Sequence, residues 1–218
     1  MKKRIILSFL ILAFTLSGCQ LLSSPGKLKE SSVSGSLLFS EDFSSNSNGW
    51  GTSGNNIGEI NFIYEGLEIK VNTPNSLLWT TTNDLFKDSQ IEVDGVLLGG
   101  PTNDAFGVVC RYQDKDNYYG FLLSHDGYYG IFKMANGSLN LIDSEGGLQF
   151  SEVIRQGGVV NHIQAICKGD SLRLTVNGTL LAEVQDGSFT QGKIGLIVGT
   201  YETTGADVFF DNFIVLQP

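Results

Sequence analysis

Dipeptides of asparagine or aspartate with glycine recur along this 218-residue chain, each beside short runs of alternating apolar residues. They are Asn48-Gly49, Asp94-Gly95, Asp126-Gly127, Asn136-Gly137, Asn177-Gly178 and Asp186-Gly187. Such dipeptides suit the positive φ angles of two-residue hairpin turns, and alternation is the pattern of half-buried strands. From Phe39 onward helical periodicity is almost absent, and 27 glycines accompany only four prolines. The sequence therefore predicts an all-β fold, a two-sheet antiparallel β-sandwich of the jelly-roll kind.

Two of these turns predict the register of a three-stranded meander. If both have two-residue loops, Phe121 lies opposite Phe132, and Phe132 lies opposite Leu141. Because side chains alternate along a strand, one face is then the core. The predicted core face carries Tyr119, Phe121, Leu123, Phe132, Met134, Leu139 and Leu141. The other face could line a groove and carries Tyr118, Leu122, Ser124, Tyr129, Ile131, Lys133, Asn140 and Ile142. A further hairpin around Asn177-Gly178 places Leu174 opposite Leu181.

The N-terminus has the pattern of a bacterial lipoprotein signal peptide. Three basic residues precede an apolar run from Ile5 to Phe14, and Leu16 to Cys19 forms a lipobox. The apolar run is shorter than the about 20 residues that a membrane-spanning helix needs, which disfavours the alternative of a spanning anchor. Residues 1–18 are therefore predicted to be removed. Acyl chains, one of them palmitate or a similar fatty acid, are predicted on Cys19, and two chains anchor a protein stably in a bacterial membrane, outside the cytoplasm.

The mature chain is predicted to be one tethered domain. Residues 19–38 are rich in serine, glycine and lysine and indicate a flexible tether, and residues 39–218 form the sandwich. Loss of three basic residues with the signal changes the formal net charge from −9 to −12. Such an acidic protein is not expected to bind nucleic acid. Cys110 and Cys167 remain, and an isolated pair in an exported protein forms one disulfide or stays as two buried thiols.

Motifs for catalysis are weak. The chain has no Gly-x-Ser-x-Gly motif, and His125 and His162 are not spaced as metal ligands. Glu92 and Asp94 occupy alternate positions of one predicted strand, an arrangement that could supply the two carboxylates of a retaining glycosidase. The series of carboxylates ends at Asp94, however, and a solvated pair on a strand face is the preferred interpretation.

Aromatic residues give the strongest indication of a ligand. Sugars are bound by aromatic rings that pack on their C–H faces, while a few polar side chains bind the hydroxyls. Tyr118 and Tyr129 share the mixed face of the predicted meander and are the preferred rings. Arg111 interrupts an apolar strand and needs a partner for its charge. Arg111, with Lys133 or Asn140, is therefore predicted to bind the hydroxyls, whereas the two tryptophans suit the sandwich core at least as well.

Four segments resemble the concanavalin A-like lectin and glucanase superfamily: FSEDFSSNSNGW, FGVVCRYQDKDNYYGFLLSHDGYYGIFK, NHIQAICKGDSLRLTVNG and GKIGLIVGT with the later VFFDNFIV. They are most similar to exported bacterial laminin G-like or glucanase-like jelly rolls, over about residues 39–217. The resemblance implies two curved sheets with adjacent terminal strands, and a concave face that often binds carbohydrate.

The resemblance also implies details of the site. Many such jelly rolls hold a structural calcium near the chain ends, and Asp42 and Asp211 are the matching carboxylates, unless they only close strand-end turns. Catalytic members carry a Glu-x-Asp-x-x-Glu motif, which this chain breaks by placing Leu97 where the last glutamate stands. The cysteine pair would form a disulfide if the two Cα atoms lie within about 7 Å.

The sequence thus predicts a lipid-anchored envelope protein whose lectin-like domain binds carbohydrate without cleaving it. Its expected partners are a glycan and, through the anchor, a membrane. Apart from the calcium, no cofactor is expected. Two alternatives remain open: a structural or protein-interaction module of the envelope, and a glycoside hydrolase with a non-standard site.

Overall fold

The computed structural model describes residues 27–29, 31, 33–52, 54 and 56–218. The predicted signal peptide and Cys19 lie outside these residues. Within the described ranges, no helix is long and apolar enough to span a membrane.

The described chain folds into two large antiparallel sheets and one small parallel pair of strands. Its strands are β1 (Leu28–Lys29), β2 (Leu37–Glu41), β3 (Gly58–Ile63), β4 (Gly66–Val71), β5 (Leu77–Thr81), β6 (Leu85–Phe86), β7 (Ser89–Gly99), β8 (Ala105–Asp114), β9 (Asn117–Ser124), β10 (Tyr128–Ala135), β11 (Ser138–Leu141), β12 (Gln149–Phe150), β13 (Asn161–Lys168), β14 (Ser171–Val176), β15 (Thr179–Gln185), β16 (Lys193–Gly199) and β17 (Ala206–Leu216). Sheet I has the order β15-β14-β13-β7-β17-β4-β3, and β2 pairs with β17. Sheet II has the order β11-β10-β9-β8-β16-β5, and β12 pairs with β10. The predicted all-β sandwich is confirmed.

The core lies between the two sheets and is crossed by a disulfide. Alternate residues of the central strands point inward, among them Ile91 and Val93 of sheet I and Phe121 of sheet II, all fully buried. Each such side chain contributes about 1.5–3 kcal/mol to folding. Cys110 on β8 and Cys167 on β13 join the sheets with their Cα atoms 6.9 Å apart, which confirms the predicted disulfide.

The terminal strands lie side by side, as the resemblance implies. Strand β2 pairs with β17 so that Phe39 lies opposite Val215. Contacts with the sandwich extend into the predicted tether. Strand β2 starts at Leu37, Leu28–Lys29 pairs with β6, and the backbone N–H of Ser31 donates to the side chain of Gln217. The backbone makes these contacts, while the apolar side chains of Leu28, Val33 and Leu37 stay exposed.

The turn dipeptides predict most hairpins but not every register. Asn136-Gly137 and Asn177-Gly178 form two-residue turns with positive φ at both residues, as predicted. Asp94-Gly95 is wrong as a turn, since it lies inside β7 and buries Gly95 against Phe106. The hairpin at Asn177 has a bulge after Leu174. Leu174 therefore pairs with Ala182, whereas the predicted partner was Leu181.

The hairpin at Asp126-Gly127 changes the faces of the meander. Its loop has three residues, because Leu123 pairs with Tyr129 and the Oγ of Ser124 accepts a hydrogen bond from the N–H of Tyr128. Phe121 therefore pairs with Ile131, one residue away from the predicted partner. A slip of one residue inverts a strand, so the face assignment is right for β9 and wrong for β10 and β11.

Candidate functional site

The outer face of sheet II, which points away from the core, is unusually apolar. A second hydrophobic cluster covers it and includes Val109, Tyr118, Leu122, Phe132 and Ile197, with Leu77, Trp79, Tyr112, Met134 and Leu141 partly buried against them. A sheet face that meets solvent ordinarily carries polar side chains. This face is therefore the first place to look for a ligand.

A bulge in β8 places one aromatic ring on this face. The pairing of β8 with β9 shifts after Cys110, and Arg111 adopts a left-handed conformation with φ 51°. The extra residue reverses the alternation, a common effect of β-bulges next to binding sites. Tyr112 consequently joins the outer face, with its ring centroid 5.5 Å from that of Tyr118.

Trp79 completes an aromatic cluster with these two tyrosines. Its ring centroid lies 6.3 Å from that of Tyr112 and 6.0 Å from that of Tyr118, although the three residues come from β5, β8 and β9. The rings approach one another across β16, which pairs with β5 on one side and with β8 on the other. Trp79 and Tyr112 stay half-exposed, whereas Tyr118 is buried beneath them. Burial raises the pKa of the Tyr118 hydroxyl, which remains neutral.

Beside Trp79 lies a polar pocket of about 310 Å³. We call it the Trp79 pocket, and its lining is Gly49, Gly51, Thr52, Ile60, Trp79, Thr80, Thr81, Asn83 and Lys193. None of these described residues is a carboxylate. Thr80 is 3% exposed, and its hydroxyl has no hydrogen-bond partner among the described residues.

At the other end of the same face an apolar groove of about 410 Å³ runs across the strands. Gly199 and Ala105 form its floor, since they pair in neighbouring strands and carry little or no side chain. Its walls are Leu77, Leu122, Phe132, Leu139, Leu141 and Leu148. Asn75, Ser76, Thr200 and Tyr201 add polar groups at one end. An aromatic ring beside one polar and one apolar depression is an arrangement that suits small organic ligands.

The predicted pair of binding rings is separated by the sheet. Tyr118 belongs to the outer face, but Tyr129 points into the core, is 7% exposed and donates its hydroxyl to the Leu181 carbonyl over 3.2 Å. The prediction that the two share a face is therefore wrong, and the three-residue loop before Tyr129 is the reason.

The predicted polar partners also lie elsewhere. Arg111 is 1% exposed and donates to the carbonyls of Phe189 and Lys87 and to the carboxylate of Asp88. It lines a pocket whose described residues include neither Tyr118 nor Tyr129. The guanidinium of Arg111 forms an ion pair with Asp88, as expected for a charge in an apolar strand. Burial lowers the pKa of this guanidinium, while Asp88 opposes that shift.

Lys133 and Asn140 do not approach the aromatic cluster. Lys133 forms an ion pair with Asp186, whose carboxylate also accepts from the hydroxyl of Tyr119. The hydrogen bonds from Lys133, Ser188 and Tyr119 hold the pKa of Asp186 below its usual range, against the effect of burial. Asn140 is exposed on strand β11 and bonds only locally, to the carbonyl of Ser138.

Glu92 and Asp94 lie on the outer face of sheet I, opposite the aromatic cluster. His162 stands between them, with Nδ1 2.8 Å from Asp94 Oδ1 and Nε2 3.7 Å from Glu92 Oε2. Gln164 and Asn212 donate to the same two carboxylates. These side chains satisfy one another, which agrees with the preferred interpretation of a solvated polar face.

The two predicted calcium ligands line one pocket, on the sheet I side of the molecule. Asp42 and Asp211 are both in its lining, together with Glu41. Asp42 already accepts hydrogen bonds from the backbone and hydroxyl of Ser44, which lower its pKa. Within the described part of the chain, no group of three or more metal-ligating side chains is close enough to hold an ion. The two carboxylates alone do not make a calcium shell, and calcium remains a prediction.

Comparison with solved structures identifies the fold. The chain is similar to carbohydrate binding module CBM66 from Bacillus subtilis, with a TM-score of 0.63 and 19% identity over 78% of this chain and 96% of that one. It is similar to a Bacillus subtilis protein of unknown function with a galectin-like fold (TM-score 0.59, 14% identity, 85% and 97% covered). A Bacillus licheniformis β-glucanase also matches (TM-score 0.59, 12% identity, 83% and 97% covered). The fold is a concanavalin A-like jelly roll. No protein-family profile matches the sequence, and neither does any curated protein.

Three residues of this candidate site were not among the predicted site residues. Tyr112 reaches the outer face only because of the bulge at Arg111, which no local sequence signal marks. Lys193 and Thr80 line the Trp79 pocket from neighbouring strands. The alternation in Leu77–Thr81 separates Trp79 from Thr80, but it does not say which of them points inward. Trp50 does occupy the core, as expected, and donates to Glu41 over 2.8 Å.

Proposed function

We propose that this jelly roll binds carbohydrate on the outer face of sheet II, with the rings of Trp79 and Tyr112 packing against the sugar. The observation that carries the proposal is the half-exposed aromatic cluster beside the polar Trp79 pocket. Aromatic rings with a few polar groups are what sugar recognition requires. The likeness to a carbohydrate binding module and to a β-glucanase supports it.

Binding without cleavage is part of the proposal. A retaining glycosidase needs two carboxylates about 5 Å apart at the sugar. Among the described residues, neither the Trp79 pocket nor the apolar groove has a carboxylate in its lining. The pair that the sequence offers, Glu92 and Asp94, faces away from the rings and is engaged by His162. These positions favour a lectin-like role over a hydrolase.

Replacing Trp79 tests the proposed function. We expect the Trp79→Ala variant to lose affinity for its glycan about thirtyfold or more, because truncating a central aromatic anchor costs about 2 kcal/mol or more. The measurement is retention of the full-length chain on a panel of immobilised polysaccharides, followed by titration with the one that binds. Tyr64→Ala is the matched control, since Tyr64 is an 89% exposed aromatic residue on sheet I. Retention that is equal in both variants would refute the site.

We further propose that the chain is attached to a bacterial membrane through acyl chains on Cys19, outside the cytoplasm. The support is the lipobox from Leu16 to Cys19 and the apolar run before it. Many anchored copies would compensate for weak single-site sugar binding through avidity.

The anchor can be tested by fractionation of expressing cells. The Cys19→Ser variant cannot be acylated, so we expect it to move from the membrane fraction to the soluble fraction. The matched control is Ser17→Ala, which leaves the cysteine in place. A Cys19→Ser protein that stays in the membrane, in the presence of a membrane marker, contradicts the anchor.

A further inference from the structure

We propose that the Trp79 pocket binds a sugar residue that carries a carboxylate. This inference rests on the proposed function and adds to it the chemical class of the glycan. It is carried by two side chains in the pocket wall, Lys193 and Thr80. Neither belongs to the aromatic cluster, so their roles can be tested separately from that of Trp79.

The pocket is a cationic site on an acidic protein. The formal net charge of the chain is −9, yet Lys193 is the one charged residue among the described residues that line the pocket. Several other lysines pair with carboxylates, for example Lys70 with Glu68 and Lys133 with Asp186. Lys193 has no ion pair and no side-chain hydrogen bond among the described residues. An ammonium group that no carboxylate of the protein neutralises is available to an anionic ligand.

Thr80 gives a second and independent indication. Its residue is 3% exposed, and its hydroxyl has no partner within the described chain. An unpaired buried hydroxyl destabilises the protein, and a ligand oxygen in the pocket would offset that cost. The pocket approaches this hydroxyl because residue 51 is glycine: a Cβ placed there would lie 3.6 Å from Thr80 Oγ1.

The single positive charge of Lys193 favours a ligand group with a single negative charge. One ammonium balances one carboxylate, and a charge-assisted hydrogen bond between them is about twice as strong as a neutral one. A dianionic phosphate would carry a second charge into the field of a net acidic protein, where repulsion opposes it. The neutral residues Asn83, Thr81 and Thr52 are then free to bind sugar hydroxyls.

Paired polysaccharides that differ only in the carboxylate provide the test. The full-length chain is titrated with glucuronoxylan against unsubstituted xylan, and with polygalacturonate against its methyl ester. We expect the acidic member of a bound pair to bind about tenfold more tightly, since one such interaction contributes about 1.4 kcal/mol or more. A sulfated polysaccharide is included to distinguish the kind of anion.

Three variants assign the effect to the pocket. Lys193→Gln should reduce the preference for the acidic member from about tenfold to within about twofold. In the Gly51→Ala variant the new methyl group would lie in contact with the Thr80 hydroxyl and cover it. We expect this variant to bind both polysaccharides of a pair several-fold more weakly. Lys168→Gln is the matched control, since it removes the same charge from an exposed position on sheet I.

The outcomes separate the two proposals. If wild type binds both members equally and Lys193→Gln changes nothing, the carboxylate inference is overturned while carbohydrate binding stands. Preference for the sulfated polymer over the carboxylated ones also overturns it. If no glycan binds, or Trp79→Ala binds as well as wild type, the proposed function itself fails.

Discussion

Removing the disulfide between Cys110 and Cys167 is expected to lower the free energy of unfolding by about 4 kcal/mol, because the bridge closes a long loop in the unfolded chain. The two cysteines are 57 residues apart in sequence and join β8 of sheet II to β13 of sheet I. Marginal stability is ordinary for a single domain, so a loss of this size would remove a large share of it. The expected effect is a large shift of the unfolding midpoint with little change in the native fold.

The measurement is urea unfolding of the Cys110→Ala, Cys167→Ala double variant beside wild type. Both cysteines are fully buried, so alanine also leaves a small cavity. A Cys110→Ser, Cys167→Ser variant would add unpaired polar groups, and its comparison with the alanine variant separates that cost from the bridge itself. A double alanine variant within about 1 kcal/mol of wild type would contradict the loop-entropy account.

Stability is also expected to fall as the pH drops from about 6.5 towards 4, because His125 is buried without a partner. Its ring is fully buried, lies 4.1 Å from the ring of Phe106 in a stacked arrangement, and neither ring nitrogen has a hydrogen-bond partner in the described structure. Burial lowers the pKa of His125 to about 4. In the unfolded chain His125 is protonated near the ordinary histidine pKa of about 6.5. Between about pH 6.5 and 4 the unfolded chain therefore binds a proton that the folded chain does not bind, and this shifts the equilibrium towards unfolding.

The sign and size follow from this difference in pKa. The contribution of neutral His125 is fully present above about pH 6.5 and is lost as the pH falls towards the folded pKa. One unit of pKa corresponds to about 1.4 kcal/mol, so the loss approaches about 3 kcal/mol. Burial raises the pKa of Asp104 and Asp143. Because the folded state binds protons at these carboxyls more readily than the unfolded state, they increase stability as the pH falls and partly offset the loss caused by His125.

Variants of the two histidines isolate the effect. His125→Phe keeps an aromatic ring against Phe106, and should raise stability at neutral pH and flatten its fall between pH 6.5 and 4.5. His162→Gln is the control, because His162 is partly exposed on sheet I and should leave that fall in place. Thermal melts at a series of pH values give the comparison. A His125→Phe protein that keeps the full pH dependence would show that other groups cause it.

The sequence specified the architecture better than the binding face. Hydrophobic alternation and the Asn-Gly turns act within a few residues, so the sandwich and the hairpins at Asn136 and Asn177 could be predicted. The loop at Asp126-Gly127 could not be counted, because two-residue and three-residue hairpin loops both use a glycine with positive φ. The three-residue loop places Tyr129 in the core, whereas the predicted two-residue loop placed it on the outer face.

The binding residues depend on long-range features that the local pattern does not carry. At the bulge, the guanidinium of Arg111 donates to the carbonyl of Phe189, far along the chain, and the bulge turns Tyr112 outward. The cluster around Trp79 joins rings from β5, β8 and β9, which only the tertiary pairing of the strands brings together. The cysteine pairing was predictable because only two cysteines follow the lipobox.

Chemical-shift mapping tests the central claim, that the outer face of sheet II binds the glycan, most directly. The backbone and indole N–H signals of the chain are followed during titration with a polysaccharide that retains it. We predict that the largest changes fall on the Trp79 indole and on residues of β5, β8 and β16, while the buried Trp50 indole stays unchanged. Changes confined to the outer face of sheet I, around Glu92 and Asp94, would contradict the proposed site.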